Sequence, residues 1–204
     1  MAFSSPGSSM SEVQFQQQLK ALEKKVARTS DAATDAQFFN SAGDLCARAA
    51  REKLALRYYG DSVNTYLKLG RYDAAVAVCR KLIRTSPSVV RTHCTLAWVA
   101  LGRGLLADAR QYVRAYADAA VRMGCEELAI TQIKRMAEAT TDVETRASFG
   151  EQLIALGDSK SADHLLGTVY RQRNGIPGQL PAEPWPVTTA IRAALASPRE
   201  ARRN

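Results

Sequence analysis

Residues that commonly bind metals or form disulfides are scarce in this sequence. Its 204 residues include only two histidines and four cysteines. The cysteines are widely spaced, form no Cys-x-x-Cys pair and lie in apolar helical stretches: Cys46, Cys79, Cys94 and Cys125. Because cysteine in such a stretch behaves as a small hydrophobic residue, we expect buried free thiols rather than disulfides or a metal site. A reducing compartment follows from that expectation.

Catalytic motifs are missing as well. The sequence has no glycine-rich phosphate loop, no Gly-x-Ser-x-Gly and no His-Glu-x-x-His. His93 precedes Cys94, but neighbouring residues on a helix point about 100° apart and do not easily pair as base and nucleophile. The other histidine, His164, is far away in the sequence. We therefore predict that the protein is not an enzyme and uses no metal or cofactor.

Long hydrophobic runs are also absent. No stretch approaches the ~18 uninterrupted apolar residues of a membrane span. The first residues carry neither the basic region nor the apolar run of a secretory signal, and residues 1–10 are rich in Ser, Gly and Pro. We expect residues 1–10 to be disordered and the protein to be cytoplasmic.

Glycine and proline are sparse inside the periodic segments and fall between them instead. The glycines at expected helix ends are Gly70, Gly102, Gly124 and Gly157, and Pro87 is expected to open the next helix. Gly60 lies inside one long segment, but a glycine costs a helix only about 1 kcal/mol, so we predict a continuous helix there. The predicted helices span 36–49, 52–69, 72–85, 88–101, 105–123, 126–139, 143–156 and 159–172.

An amphipathic helix is predicted before these segments, from an N-cap at Ser11 to about Thr29. Its apolar positions are spaced by four, three and four: Phe15, Leu19, Leu22 and Val26. This stripe suits a capping element, over residues 11–34, that packs on the first repeat. It also suits a short dimerisation helix.

Similar segments recur along the chain at intervals of fifty-odd residues. Residues 41–55 resemble residues 94–107 and 149–162, and residues 80–89 have a counterpart 54 positions later, at 134–143. An internal repeat of this period indicates a helical solenoid, in which each unit packs mainly on its neighbours.

The segment 56–87 resembles a tetratricopeptide repeat. The matching positions are Tyr59, Val63, Tyr66, Gly70, Tyr72, Ala75, Cys79, Leu82 and Pro87. Weaker copies contain Phe39, Gly43, Cys46 and Ala55, then Thr95, Trp98, Gly102 and Ala107, then Phe149, Gly150, Leu153, Gly157 and Ala162. The second copy departs from the pattern at Arg91, Gly104 and Gln111. The resemblance implies an all-α solenoid of about eight antiparallel helices over residues 35–174.

Proteins of this family bind partners, so the resemblance implies a non-catalytic scaffold or accessory subunit of a bacterial multiprotein complex. The concave surface would take a protein or peptide partner, with Asn40, Asp44 and Asn64 as candidate contacts. One family binding mode, a clamp for two carboxylates, needs Lys and Asn at set positions. This sequence has Asp44 and Ala47 on the first groove helix and only Asn64 on the second, so that clamp is not expected.

Basic residues are concentrated in the first repeat unit. Residues 36–87 contain nine Lys or Arg against four Asp or Glu, and Arg80, Lys81 and Arg84 lie within about one turn of a helix. A second basic group is expected at a corner between helices: Arg48, Arg51, Lys53 and Arg57. These charges are compatible with a solvated face. They are also compatible with the alternative function of a basic regulatory protein that contacts nucleic acid or another polyanion, although few aromatic residues interleave them.

The composition changes after Asn174, where prolines become frequent. Residues 175–204 are predicted to form an extended tail with a short helix from about Val187 to Ala196. Trp185, between Pro184 and Pro186, is the tail's candidate binding residue, because tryptophan is a large amphipathic anchor. It either packs on this chain's own groove or docks on another subunit, unless the tail is disordered.

Overall fold

The computed structural model describes residues 10–27, 31–176 and 183–196, and all regular secondary structure in these ranges is α-helical. The predicted disordered segment 1–10 lies almost entirely outside the described residues. The helices are α1 Glu12–Val26, α2 Ala32–Arg48, α3 Glu52–Lys68, α4 Tyr72–Thr85, α5 Val90–Gly102, α6 Leu106–Met123, α7 Glu126–Glu138, α8 Val143–Ala155, α9 Ser159–Arg173 and α10 Val187–Ala196. They pack mainly in consecutive pairs, which confirms the predicted all-α class of stacked helices.

Two predicted helix boundaries have clear outcomes. The helix α3 continues through Gly60, as expected from the small cost of glycine in a helix. The prediction that Pro87 opens the next helix is wrong, because α5 begins at Val90. Ser86 is extended, with φ −147° and ψ 99°, as is typical of a residue before proline. Pro87 then lies in a turn that precedes α5.

Side-chain caps fix several helix starts. Ser11 and Gln14 form a reciprocal capping box at α1, as the Ser11 prediction required. Asp31, Asp142 and Asp158 cap α2, α8 and α9 through their carboxylates. Each carboxylate accepts at least one backbone N–H that has no partner inside the helix.

The chain divides into two compact units, residues 1–87 and 88–204. In the first unit α2 packs against α1 and α3, and α3 packs against α4. Gly43 brings α2 close to α3, because a Cβ at this position would lie 2.5 Å from the Cδ1 atom of Tyr59. Of the repeat-pattern residues, Ala75 and Tyr66 are buried, whereas Tyr72 is half-buried.

The second unit contains α5 to α10. Its helix α5 is buried on all sides, since α6, α7 and α10 pack around it, and Trp98 is fully buried at its centre. The helix α8 packs against α9, α6 and α7, with Phe149 and Leu153 in the core. An apolar helix without a polar face needs cover on every side. The sequence of α5 therefore requires the packing that the structure shows.

The four cysteines are free, as expected. Cys46, Cys79 and Cys94 are buried, and Cys125 is half-buried. Burial raises the pKa of the Cys79 thiol to about 12, so this sulfur is protonated and unreactive at neutral pH. Among the described helices, none combines the length and the apolar character needed to cross a membrane.

Candidate functional site

An open groove of about 870 Å³ lies in the first unit, between α1 and α2. Its walls come from three helices: Gln18, Ala21 and Leu22 from α1, Ser41, Asp44, Leu45, Ala47 and Arg48 from α2, and Tyr59 from α3. Most of the lining surface is apolar, and Gln18, Ser41, Asp44 and Arg48 add polar groups. Ligand sites in proteins commonly combine such an apolar lining with a few placed polar groups.

The helix α1 is held against the rest of the unit by one aromatic anchor. Phe15 is 1% exposed, although neighbouring positions on α1 face solvent. The Arg51 guanidinium lies 4.0 Å from the centre of the Phe15 ring and also forms an ion pair with Glu12. A cation over an aromatic face adds attraction to the burial of the ring. These contacts of Arg51 with Phe15 and Glu12 hold α1 in place, and Gln18 and Ala21 of the same helix line the groove.

Two lining residues of the groove, Asp44 and Tyr59, belong to a polar network. The Lys81 ammonium donates to both Asp44 oxygens, at 2.8 Å each, and to the Asn40 Oδ1 atom at 2.9 Å. The Tyr59 hydroxyl donates to Asp44 Oδ1 at 2.7 Å. These bonds join α2, α3 and α4 through a single carboxylate. Burial, and then the hydrogen bond and negative charge of Asp44, raise the pKa of Tyr59 well above its ordinary value.

The network changes the charge that the first unit offers to a partner. Lys81 is neutralised by Asp44, and Arg51 by Glu12. The other seven basic residues of the segment 36–87 remain exposed: Arg48, Lys53, Arg57, Lys68, Arg71, Arg80 and Arg84. The basic surface is therefore smaller than the sequence count suggests.

The seven candidate residues from the sequence separate into groups. Asn40, Asp44 and Lys81 are brought together by direct hydrogen bonds. Arg80 and Arg84 are exposed on α4, and Asn64 is half-buried on α3, outside this network. Trp185 belongs to the second unit.

Sequence reasoning missed the wall that α1 contributes and the hydrogen bond of Tyr59. The apolar stripe of α1 contains Leu22, but a stripe does not reveal which helix it faces. Tyr59 was identified only as a packing residue of the repeat pattern. Its bond to Asp44 joins residues fifteen positions apart on different helices. A buried tyrosine nevertheless usually has a partner for its hydroxyl, and this rule was the available signal.

Trp185 packs in the second unit, on its own chain. Its ring stacks on Trp98, with centroids 5.7 Å apart and an interplanar angle of 13°. Its backbone N–H donates to the Ala139 carbonyl, at 2.9 Å. The indole N–H of Trp98 donates to the Gln132 Oε1 atom, at 3.1 Å. This hydrogen bond fixes the orientation of the Trp98 ring in the stack.

Within the described ranges, no three His, Cys, Asp or Glu side chains converge as the ligands of a metal ion would.

No protein-family model matches the chain. No curated protein is significantly similar to it. Among solved structures, the chain is similar to a tetratricopeptide repeat protein from Parabacteroides merdae, with 13% sequence identity and a TM-score of 0.24. The matched region covers 90% of this chain and 79% of that protein.

Proposed function

We propose that this protein is a tetratricopeptide-like interaction module that binds an extended segment of a partner protein in the groove between α1 and α2. The groove carries this proposal, because it is open, lined mainly by apolar surface and walled by three helices. We also propose a non-catalytic role, as an accessory subunit of a bacterial multiprotein complex. The four free cysteines support a cytoplasmic location, where thiols stay reduced.

The groove residues define the chemistry of the segment. Ala21, Leu22 and Leu45 offer small apolar contacts, so the segment carries small or medium apolar side chains. A carboxylate has about four acceptor positions. Lys81 and Tyr59 occupy three positions on Asp44, so the remaining one accepts an N–H from the partner.

Arg48 lies one helical turn after Asp44 on α2, and its exposed guanidinium suits a backbone carbonyl or a carboxylate of the same segment. A partner that places a donor near Asp44 and an acceptor near Arg48 therefore binds in one direction. Apolar contacts alone would not set the direction in which the partner segment lies in the groove.

A random peptide library displayed on phage tests this function directly. Selected peptides should bind the wild-type chain and lose binding to Ala21→Arg, whose long charged side chain fills the groove. Ala77→Arg is the matched control, because Ala77 is exposed on α4 and does not line the groove. Equal binding to both variants, or no enriched peptide, would overturn the proposal.

Polyanion binding is the second candidate, and the exposed side chains of Arg48, Arg80 and Arg84 favour it. Binding through phosphate contacts weakens steeply with salt, since counterions are released. A labelled single-stranded DNA of random sequence should then lose affinity for the Arg80→Gln/Arg84→Gln double variant. If the groove function is correct instead, the selected peptides bind this double variant as they bind wild type.

A further inference from the structure

The helix α10 returns along the chain to α5, the first helix of its own unit, rather than packing on α9, its neighbour in sequence. The buried residues of α10 are Ala190, Ile191, Ala193 and Ala194. Three of these four are alanines, so the contact is close but contains few large side chains. Trp185, just before the helix, supplies the main anchor by its stack on Trp98.

The surface of α5 is shaped for this particular helix. A Cβ at Gly102 would lie 2.8 Å from the Ala190 Cβ and 3.2 Å from the Val187 Cα. At the other end, the Arg91 Nη2 atom donates to the Leu195 carbonyl at 3.4 Å, near the C-terminus of α10. The close glycine–alanine contact fixes the position of α10, and the arginine and tryptophan contacts fix its direction.

The face of α5 that α10 covers is too apolar to be exposed to water. Eleven of the thirteen residues of α5 are buried, so removal of α10 would expose an apolar face. A helix of ten residues is not stable alone in water. The two surfaces therefore need each other, whether they belong to one chain or to two.

The connection between α9 and α10 is short and rich in proline. Thirteen residues, 174–186, separate the two helices, and four of them are prolines: Pro177, Pro181, Pro184 and Pro186. Because three of the four buried residues of α10 are alanines, its docking buries less apolar surface than a helix with large side chains would, so its opening costs less free energy than global unfolding.

We propose that residues 184–196 are an exchangeable segment, and that a second copy of this chain supplies the same segment to the same α5 surface. Reciprocal exchange preserves every contact described above and creates no new interface that would need a complementary sequence. The occupant is a second copy because the docking surface and its complement are encoded in the same chain.

The length of the connection between α9 and α10 sets the protein concentration at which exchange between copies competes with docking within one chain. A short connection gives an effective concentration on the order of millimolar for docking within one chain. The chain therefore stays monomeric when dilute. It exchanges when its own concentration approaches this value, or when an assembly holds two copies together.

The two tryptophans, the only ones in the sequence, give a direct test. Stacked indoles produce an exciton couplet in the far-ultraviolet circular dichroism spectrum. Trp98→Phe and Trp185→Phe should each lack the couplet. We expect the couplet to return when the two variants are mixed near millimolar concentration and incubated below the unfolding midpoint. Only a Trp185 from one copy on a Trp98 from another produces it. Random pairing limits its amplitude to about a quarter of the wild-type value.

A second measurement needs no substitution. A mixture of ¹⁵N-labelled and unlabelled wild-type chain, treated in the same way, should show dimers of mixed mass by native mass spectrometry. A chain that remains monomeric, with no couplet in the mixture of variants, would overturn the proposal and make α10 a permanent part of the core. Mixed-mass dimers without a couplet would also overturn it, because the copies would then associate through another surface.

Discussion

The Lys81 ammonium donates to both carboxylate oxygens of Asp44, and the hydroxyl of buried Tyr59 donates to one of them. One side chain of α2 thus satisfies groups from α3 and α4 at the same time. Ion pairs at protein surfaces contribute little to stability on average. A carboxylate that also satisfies a buried hydroxyl contributes more, because its loss leaves two polar groups without their partner.

We predict that Asp44→Ala destabilises the protein by about 1–2 kcal/mol, and that Lys81→Met costs less than about 1 kcal/mol. Removal of Asp44 leaves the Tyr59 hydroxyl buried without this acceptor, whereas removal of Lys81 leaves a carboxylate that water still reaches. Urea unfolding of the two variants measures the difference. Equal losses would show that the ion pair alone accounts for the stability.

The raised pKa of Tyr59 predicts a loss of stability in base. A tyrosine whose pKa is higher in the folded chain than its ordinary value of 10.0 holds its proton more tightly when folded. Its contribution is complete below this ordinary value and is lost as the pH rises through the folded-state pKa. Above about pH 10, and increasingly as the pH approaches the folded-state pKa, the unfolding free energy of wild type should therefore fall more than that of Tyr59→Phe. Parallel curves for the two proteins would contradict the assignment.

Helix positions were largely predictable from the sequence, because the apolar period and the glycine breakers act locally. The continuity of α3 through Gly60 and the cap at Ser11 follow from such local rules. Pro87 was misplaced because the sequence shows that proline stops a helix, but not how many turn residues precede the next one.

The site was less predictable, because its residues meet only after helices pack. Lys81 and Asp44 are 37 positions apart, and the sequence assigned Lys81 to a basic cluster without its counter-ion. Trp185 and Trp98 are separated still further along the chain. The sequence showed that Trp185 needs a partner, but the closeness of α10 to α5 depends on the contact between Gly102 and Ala190.

Ala50 provides a prediction of increased stability. It has φ 54°, the left-handed region, whereas the corresponding residues after α3, α5, α8 and α9 are Gly70, Gly104, Gly157 and Gly175. A residue with a Cβ is strained there by about 1 kcal/mol. Ala50→Gly should therefore raise the unfolding free energy by about this amount. Ala49→Gly is the matched control and should lower it, because Ala49 has φ −85°.

Two glycine-to-alanine changes should have opposite effects. A Cβ added at Gly60 would have no described heavy atom within 4 Å, apart from its chain neighbours and the backbone of its own helix. Gly60→Ala should therefore stabilise α3 by up to about 1 kcal/mol. At Gly102 the added Cβ collides with Ala190 on α10. Gly102→Ala should lower the thermal midpoint and reduce the tryptophan couplet. An unchanged couplet would show that α10 shifts without losing the stack.

Arg146 gives a prediction about the cost of burying a charge. It is 5% exposed, and its Nη2 atom donates to Thr168 Oγ1 at 2.9 Å. Its Nε and Nη1 atoms are buried without a hydrogen-bond partner among the described residues. Burial lowers the pKa of this guanidinium, which shows that the folded environment disfavours the charged form.

A methionine, which keeps an unbranched apolar stem and removes the guanidinium, should therefore suit this position better than arginine. Replacing a poorly paired buried charge by an apolar side chain is often neutral or stabilising, by about 1–4 kcal/mol. We expect Arg146→Met to raise the unfolding free energy, measured by urea denaturation, with Arg110→Met as the control for loss of a more exposed arginine. A large loss of stability in Arg146→Met, with no loss in Arg110→Met, would show that the buried guanidinium is satisfied in solution and holds α8 to α9 through its charge.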